Sequence, residues 1–252
     1  MEIKIYNPFS LAEKTILVTG ASSGIGKAIA VECSKMGANV IITGRNEERL
    51  SQTFELLKGN NHKKMVCDLF SEESINELSD QLSILNGVVH AAGIQKFLPF
   101  QFISSKEIKN IFDVNFFSPV LLSQLLVKTK KIVKGASIVF ISSTEGPITA
   151  GIGNSMYSAS KGAVTAMAKS MAVNLAPKKI RVNCILPGMT ETPLIHAGEI
   201  TQEQLNDNMK LVPLKRYGTP EEIAYAAIYF LSDASAWTTG ANLIIDGGFT
   251  LS

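Results

Sequence analysis

Short runs of β-branched and apolar residues punctuate the chain, and most are followed by a segment with helical periodicity. TILVT (15–19) leads into GIGKAIAVECSKMG, NVIIT (39–43) precedes NEERLSQTFELLK, and KMVCD (64–68) precedes SEESINELSDQL. GVVHAA (87–92) precedes a longer helical stretch from about Ser104 to Lys134, and SIVFIS (137–142) precedes a helix opened by YSASK (157–161). IRVNCI (180–185) and NLIID (242–246) follow. Strand runs that are apolar at consecutive positions are buried on both faces, as in a parallel sheet covered by helices on either side. With right-handed crossovers the pattern predicts one α/β domain over 1–252. It is a Rossmann fold with a doubly wound parallel sheet of about seven strands. TPEE (219–222) marks a helix start, with Thr219 as cap, Pro220 first in the helix and Glu222 closing a capping box. The least patterned stretch, 190–218, has helical character in its middle and turn residues at both ends, the pattern of a substrate lid.

Composition narrows the class without changing that picture. The 252 residues are 46% hydrophobic and 18% charged, enough apolar content for a large core. The net charge of +2, with no basic stripe interleaved with aromatics, gives no sign of a nucleic-acid partner. Cys33, Cys67 and Cys184 are widely spaced and form no C-x-x-C pair, so neither a metal site nor a disulfide framework is expected. The start, MEIKIYNPFSLAEKT, has no long apolar core after a basic segment. The apolar run AYAAIYFL (224–231) is too short to cross a bilayer, so the reading is a soluble cytoplasmic protein with no membrane partner.

Chemistry enters at the first strand–helix junction, TGASSGIGKAIA. Gly20, Gly24 and Gly26 would let the backbone turn sharply and approach a pyrophosphate, which the free N–H groups of the following helix would hold. An ordinary strand-to-helix turn is the alternative. At the end of the second strand, IITGRNEERL has Gly44 and Arg45 where an acidic residue would favour NAD. No carboxylate repels a phosphate there, and Arg45 can pair with one, so NADP(H) is expected over NAD(H) unless Arg45 is merely a solvated loop residue.

Tyr157 and Lys161, four apart on a helix, share a face. A free tyrosine titrates near ~10, and lowering that by about three units takes roughly 4 kcal/mol. One cation at ~4 Å and an effective dielectric near ~20 supplies about that much. The pair therefore reads as a proton-transfer device in which the lysine tunes the tyrosine.

These motifs together resemble the classical short-chain dehydrogenases/reductases: T-G-x-x-x-G-x-G at 19–26, a serine after the fifth strand and Y-x-x-x-K at 157–161. FDVN (112–115), IRVNCILPGMTET (180–192) and IIDGG (244–248) match in order, so the resemblance covers nearly the whole chain, and 3-oxoacyl-ACP reductase-like members are the nearest type. The resemblance implies that Tyr157 protonates a carbonyl oxygen as hydride arrives, that Lys161 lowers its pKa and holds the nicotinamide ribose, and that Ser143 hydrogen-bonds the substrate oxygen. It implies a relay water held at Asn115. It places Gly20, Ser22, Ser23, Gly24, Ile25, Gly26, Asp68, Leu69, Ala92, Gly93, Pro187, Gly188, Thr190 and Thr192 along the cofactor, beside Arg45, Tyr157 and Lys161. Ser142 is the rival to Ser143, Asn115 could be a polar helix residue with no relay role, and Asp68 could instead cap the next helix.

The chain departs from the family in two places. His90-Ala91-Ala92-Gly93 stands where the family often has Asn-Asn-Ala-Gly, and His90 reads best as a satisfied strand-end histidine. The loop between Ser143 and Tyr157 is about one residue longer than the family's. The resemblance implies an NADP(H)-dependent oxidoreductase acting on a carbonyl or alcohol, with a 3-oxoacyl thioester as the first substrate to consider and a sugar, polyol or steroid-like substrate also open. Lys128, Lys130, Lys131, Lys134, Lys178 and Lys179 could meet an acidic carrier protein, but they read first as solubilising lysines. A non-catalytic NADP-binding regulator is the alternative from another class, disfavoured by the intact Tyr157 and Lys161. Extended members acting on nucleotide sugars differ in glycine spacing and length. A homotetramer is the family's usual assembly. Ile94, Phe97, Ile148, Ile152 and Leu194 are the candidates for an apolar substrate cavity.

Overall fold

The computed structural model describes residues 6–195 and 201–251. Strands β1 (Thr15–Thr19), β2 (Asn39–Gly44), β3 (Lys63–Val66), β4 (Leu85–His90), β5 (Ile132–Ile141), β6 (Arg181–Pro187) and β7 (Asn242–Ile245) pair in one parallel sheet of order β3-β2-β1-β4-β5-β6-β7. The order reverses beside β1, so the fold is the doubly wound α/β sheet that the sequence predicts.

Alternation along each strand assigns its two faces. Ile16 and Val18 join one core with α1 (Gly24–Lys35), α2 (Glu47–Phe54) and α8 (Pro220–Leu231), through Ile29, Leu50 and Ile223. Leu17, between them, joins the opposite core with α3 (Glu72–Gln81), α5 (Ser118–Lys128) and α6 (Ser155–Leu175), through Leu78, Leu122 and Val164. Thr219 makes the expected capping box with Glu222, with Pro220 in the first turn of α8.

The long helical stretch after β4 differs from its expected form. It divides into α4 (Ser105–Phe112), a π-helical turn at Asp113–Phe117, and α5, and β5 already begins at Ile132. The π turn coincides with Asn115, whose side chain bonds both backbone groups of Ile94: Oδ1 accepts from Ile94 N at 2.8 Å and Nδ2 donates to Ile94 O at 2.9 Å. Such turns widen a helix locally to aim a residue that a regular helix would point elsewhere. By length and composition alone the run Ser105–Lys128 could cross a membrane, but its Ile111, Leu122 and Leu126 are buried in the protein.

Part of the predicted lid, residues 196–200, lies outside the described residues. The rest contains α7 (Gln202–Leu211), capped by a Thr201–Gln204 box. Its ends meet at one point, where Gly218 N donates to Met189 O (3.0 Å) and Glu191 N to Gly218 O (2.9 Å). Leu205, Val212 and Tyr217 form a small core of their own beneath it, and the Tyr217 hydroxyl donates to Leu205 O at 2.6 Å.

Candidate active site

The carboxyl ends of β4, β5 and β6 open into a cleft of about 1260 Å³. Ser143 and the loop after it come from the end of β5, Tyr157 and Lys161 from the first turns of α6, and Pro187 to Thr192 from the end of β6. Ile25, Gly93, Ser143, Tyr157, Lys161, Pro187, Gly188, Thr190 and Thr192, all candidates from the sequence, line it together.

The two serines after β5 separate by direction. Ser142 is buried and donates to Lys161 O at 3.1 Å. Ser143 faces the cleft beside Tyr157, and its hydroxyl accepts from Glu145 N at 3.1 Å. Lys161 Nζ donates to Ile141 O at 2.9 Å and lies 5.6 Å from the centre of the Tyr157 ring.

This geometry corrects the electrostatic expectation. Burial pushes the Tyr157 phenol up to about 12, against a lowering by the Ser143 hydrogen bond and with a further rise from Glu145. Burial also brings Lys161 down to about 8. Desolvation dominates both shifts because each charged form is held away from water. Between the folded value near 8 and the ordinary 10.5, the unfolded chain binds the Lys161 proton more tightly than the native one. Its burial therefore costs stability at neutral pH, and stability rises with pH across that window. Lys161→Met should melt ~4 °C higher than the parent at pH 7, the gain shrinking towards pH 10.5, while turnover is lost. Differential scanning calorimetry against pH checks this; a lower melting point at pH 7 would contradict it.

The remaining candidates form a band along the strand ends. Gly20 has φ +67, and a Cβ on it would lie 2.6 Å from the Ala92 backbone. Gly24 has φ +52 and faces Thr192, while a Cβ on Gly26 would collide with the Gly20 carbonyl. Ser23 precedes α1 in an extended conformation and makes no side-chain cap, so the first-turn N–H groups have no capping side chain. This cradle, which added Cβ atoms would fill, fits the pyrophosphate of a dinucleotide. Ser22 Oγ sits against Gly44 at the end of β2, and the next residue, Arg45, is exposed, with its guanidinium 5.9 Å from the centre of the Phe70 ring. Leu69 and Ala92 border a narrow interior crevice with Thr19 and His90, too small to hold a water. Thr19 Oγ1 accepts from Ala91 N and Ala92 N at 3.2 and 3.4 Å.

Comparison with known proteins identifies the family. A family model described as enoyl-(acyl carrier protein) reductase matches residues 20–250. The chain belongs to the short-chain dehydrogenase/reductase family. It is 33% identical to the 3-oxoacyl-[acyl-carrier-protein] reductase FabG of Rickettsia prowazekii, over 96% of this chain and 98% of that protein. It is also 33% identical to glucose 1-dehydrogenase 2 of Bacillus subtilis, over 96% of each. A Beutenbergia cavernae structure with bound NADP at low occupancy, proposed to be an NAD(P)-dependent gluconate 5-dehydrogenase, superposes with a TM-score of 0.89. It is 29% identical, over 98% of this chain and 100% of that one. As a short-chain dehydrogenase/reductase, the protein is an oxidoreductase that uses a nicotinamide cofactor.

Some candidates sit as expected and others do not. Asn115 is 2% exposed and its side chain is committed to Ile94 and Ser160, so a relay water there would have to use its backbone. Asp68 does not cap α3, which Ser71 caps; its carboxylate accepts from Phe70 N at 3.1 Å. His90 is buried, stacks on Phe140 at 4.8 Å and hydrogen-bonds Ser123 Oγ through Nε2 at 2.8 Å. Desolvation brings it down to about 3, so it stays neutral. Phe97, Ile152 and Leu194 line the cleft, but Ile94 and Ile148 do not. The sequence reading passed over Glu145, a carboxylate of the cleft wall. An acidic residue two places after Ser143, in an otherwise uncharged loop, was the available signal.

Proposed function

We propose that the protein is an NADPH-dependent reductase of neutral carbonyl compounds, with 3-oxoacyl thioesters as the substrate class to test first. The meeting of Ser143, Tyr157 and Lys161 on one cleft carries this reading. A carbonyl oxygen lodged between those hydroxyls would accept a hydrogen bond from Ser143 and a proton from Tyr157. The bound nicotinamide supplies the hydride. Burial raises the phenol, so it is protonated at neutral pH, as a proton donor must be. Lys161, beside Gly93 and Tyr157, is placed to bond the nicotinamide ribose. The glycine cradle and Thr190 and Thr192 would hold the rest of the cofactor.

NADP(H) over NAD(H) is supported by Arg45 and Ser22 at the end of β2, where no carboxylate forms an ion pair with Arg45 among the described residues. Arg45→Ala should lower the NADPH-over-NADH preference in kcat/KM by about 10-fold or more. An unchanged ratio would contradict this assignment.

The thioester reading leans on the relatives named 3-oxoacyl-[acyl-carrier-protein] reductase and on the apolar wall made by Phe97, Ile152, Leu194 and Leu211. Gln95, Gln204 and Asn208 on the same cleft favour a second reading, a sugar or polyol substrate. Steady-state NADPH oxidation with acetoacetyl thioester, a keto sugar and a cyclic ketone decides between them: the highest kcat/KM on the thioester supports the first reading, and the highest on the keto sugar replaces it. A homotetramer follows from the family alone, and a monomeric mass by light scattering would remove it.

A further inference from the structure

Glu145 stands in the cleft wall with its carboxylate turned inward onto its own loop. It accepts from the Asn154 side-chain amide and from the Gly151 N–H, and a Cβ on Gly151 would overlap it. Asn154 is 1% exposed and immediately precedes α6, three residues before Tyr157; its backbone oxygen accepts from Ser158 N at 2.9 Å. At the other end of the same residue, Glu145 N donates to Ser143 Oγ at 3.1 Å. The loop between folds on itself, with Gly146 N donating to Thr149 O (2.8 Å) and Thr149 N to Thr144 O (2.9 Å). One residue thus joins the serine, the loop and the helix that bears the tyrosine.

We propose that Glu145 is a positioning residue: its carboxylate, clasped by Gly151 and Asn154, fastens the 144–154 loop to the start of α6 and holds the Ser143 hydroxyl against the Tyr157 phenol. The proposal rests on reading Ser143 and Tyr157 as the carbonyl-binding pair. Burial raises the Glu145 carboxyl, and its contacts with Asn154 and Gly151 oppose that rise, so both favour its charged form. A proton donor displaced by as little as ~1 Å loses much of its effect.

A four-variant set with two readouts tests it. Glu145→Ala should lower kcat for acetoacetyl thioester about 100-fold, with KM and NADPH affinity changed less than about 3-fold. It should also speed amide exchange at Gly146 and Thr149 about 10-fold. Glu145→Gln can still accept from Gly151 and donate to the Asn154 amide oxygen, so it should recover kcat to within about 5-fold of the parent. Gly151→Ala should be damaging alone and add little to Glu145→Ala, because its added carbon meets only the carboxylate. The proposal is overturned if Glu145→Ala keeps the parent kcat, if Gln is as damaging as Ala, or if the loop exchanges faster without loss of kcat. Should the parent reduce no thioester, kcat is read on whichever carbonyl it does reduce. The substrate assignment then fails while the clasp is still decided by exchange and by that kcat.

Discussion

Tyr157→Phe should reduce kcat for carbonyl reduction by about 1000-fold while leaving NADPH affinity within about 3-fold. The substitution removes one oxygen and keeps the ring, which is half-buried at the start of α6 and lines the cleft. General acid catalysis by one positioned group typically contributes ~10²–10⁴-fold. Here the phenol lines the same cleft as the Ser143 hydroxyl, where both can reach one carbonyl oxygen. Ser143 would still bond the carbonyl oxygen, so residual turnover above background is expected rather than none. Stopped-flow fluorescence of bound NADPH separates affinity from chemistry. Equal losses in both would mean that the tyrosine serves binding and not proton transfer.

Gly26→Ala should weaken NADPH binding by about 100-fold and lower stability by about 2 kcal/mol. A Cβ at this position meets the Gly20 carbonyl and lies 3.1 Å from the Thr19 carbonyl. Both obstacles are backbone, so no side chain can swing aside. Relief requires α1 to move away from the end of β1, which carries its first-turn N–H groups away from the place where a pyrophosphate would rest. NADPH titration and thermal melting together check this. A variant that melts lower yet binds NADPH as tightly as the parent would show that the cradle is not the cofactor's seat.

The fold was legible because the strands are apolar at consecutive positions. TILVT and NVIIT became β1 and β2 within one residue, and their burial on both faces follows from the two helix layers. The helical stretch after β4 was legible only as helix. Its π turn depends on Asn115 reaching the backbone of Ile94, a contact between residues 21 apart that no local periodicity announces. The Tyr157–Lys161 pairing was legible from helix geometry, since residues four apart on a helix share a face. The electrostatics were not. The Coulomb estimate for Tyr157 and Lys161 assumed an ammonium facing the phenol oxygen, whereas Lys161 Nζ is turned to Ile141 O and both groups are desolvated. The choice of Ser143 over Ser142 likewise became a physical statement only when the direction of each hydroxyl was known. Glu145 escaped notice because its partners, Gly151 and Asn154, look like ordinary loop residues until the chain folds them around it.

The most direct test of the account is a single-turnover reduction with NADPH carrying deuterium on the transferred face of its nicotinamide C4. The parent protein is mixed with acetoacetyl thioester and, separately, with a keto sugar and a cyclic ketone. The account predicts one equivalent of oxidised cofactor and a hydroxy product bearing deuterium on the former carbonyl carbon, absent with Tyr157→Phe. Tight binding of NADPH with no deuterium transferred to any of these carbonyls would contradict the catalytic reading of the cleft.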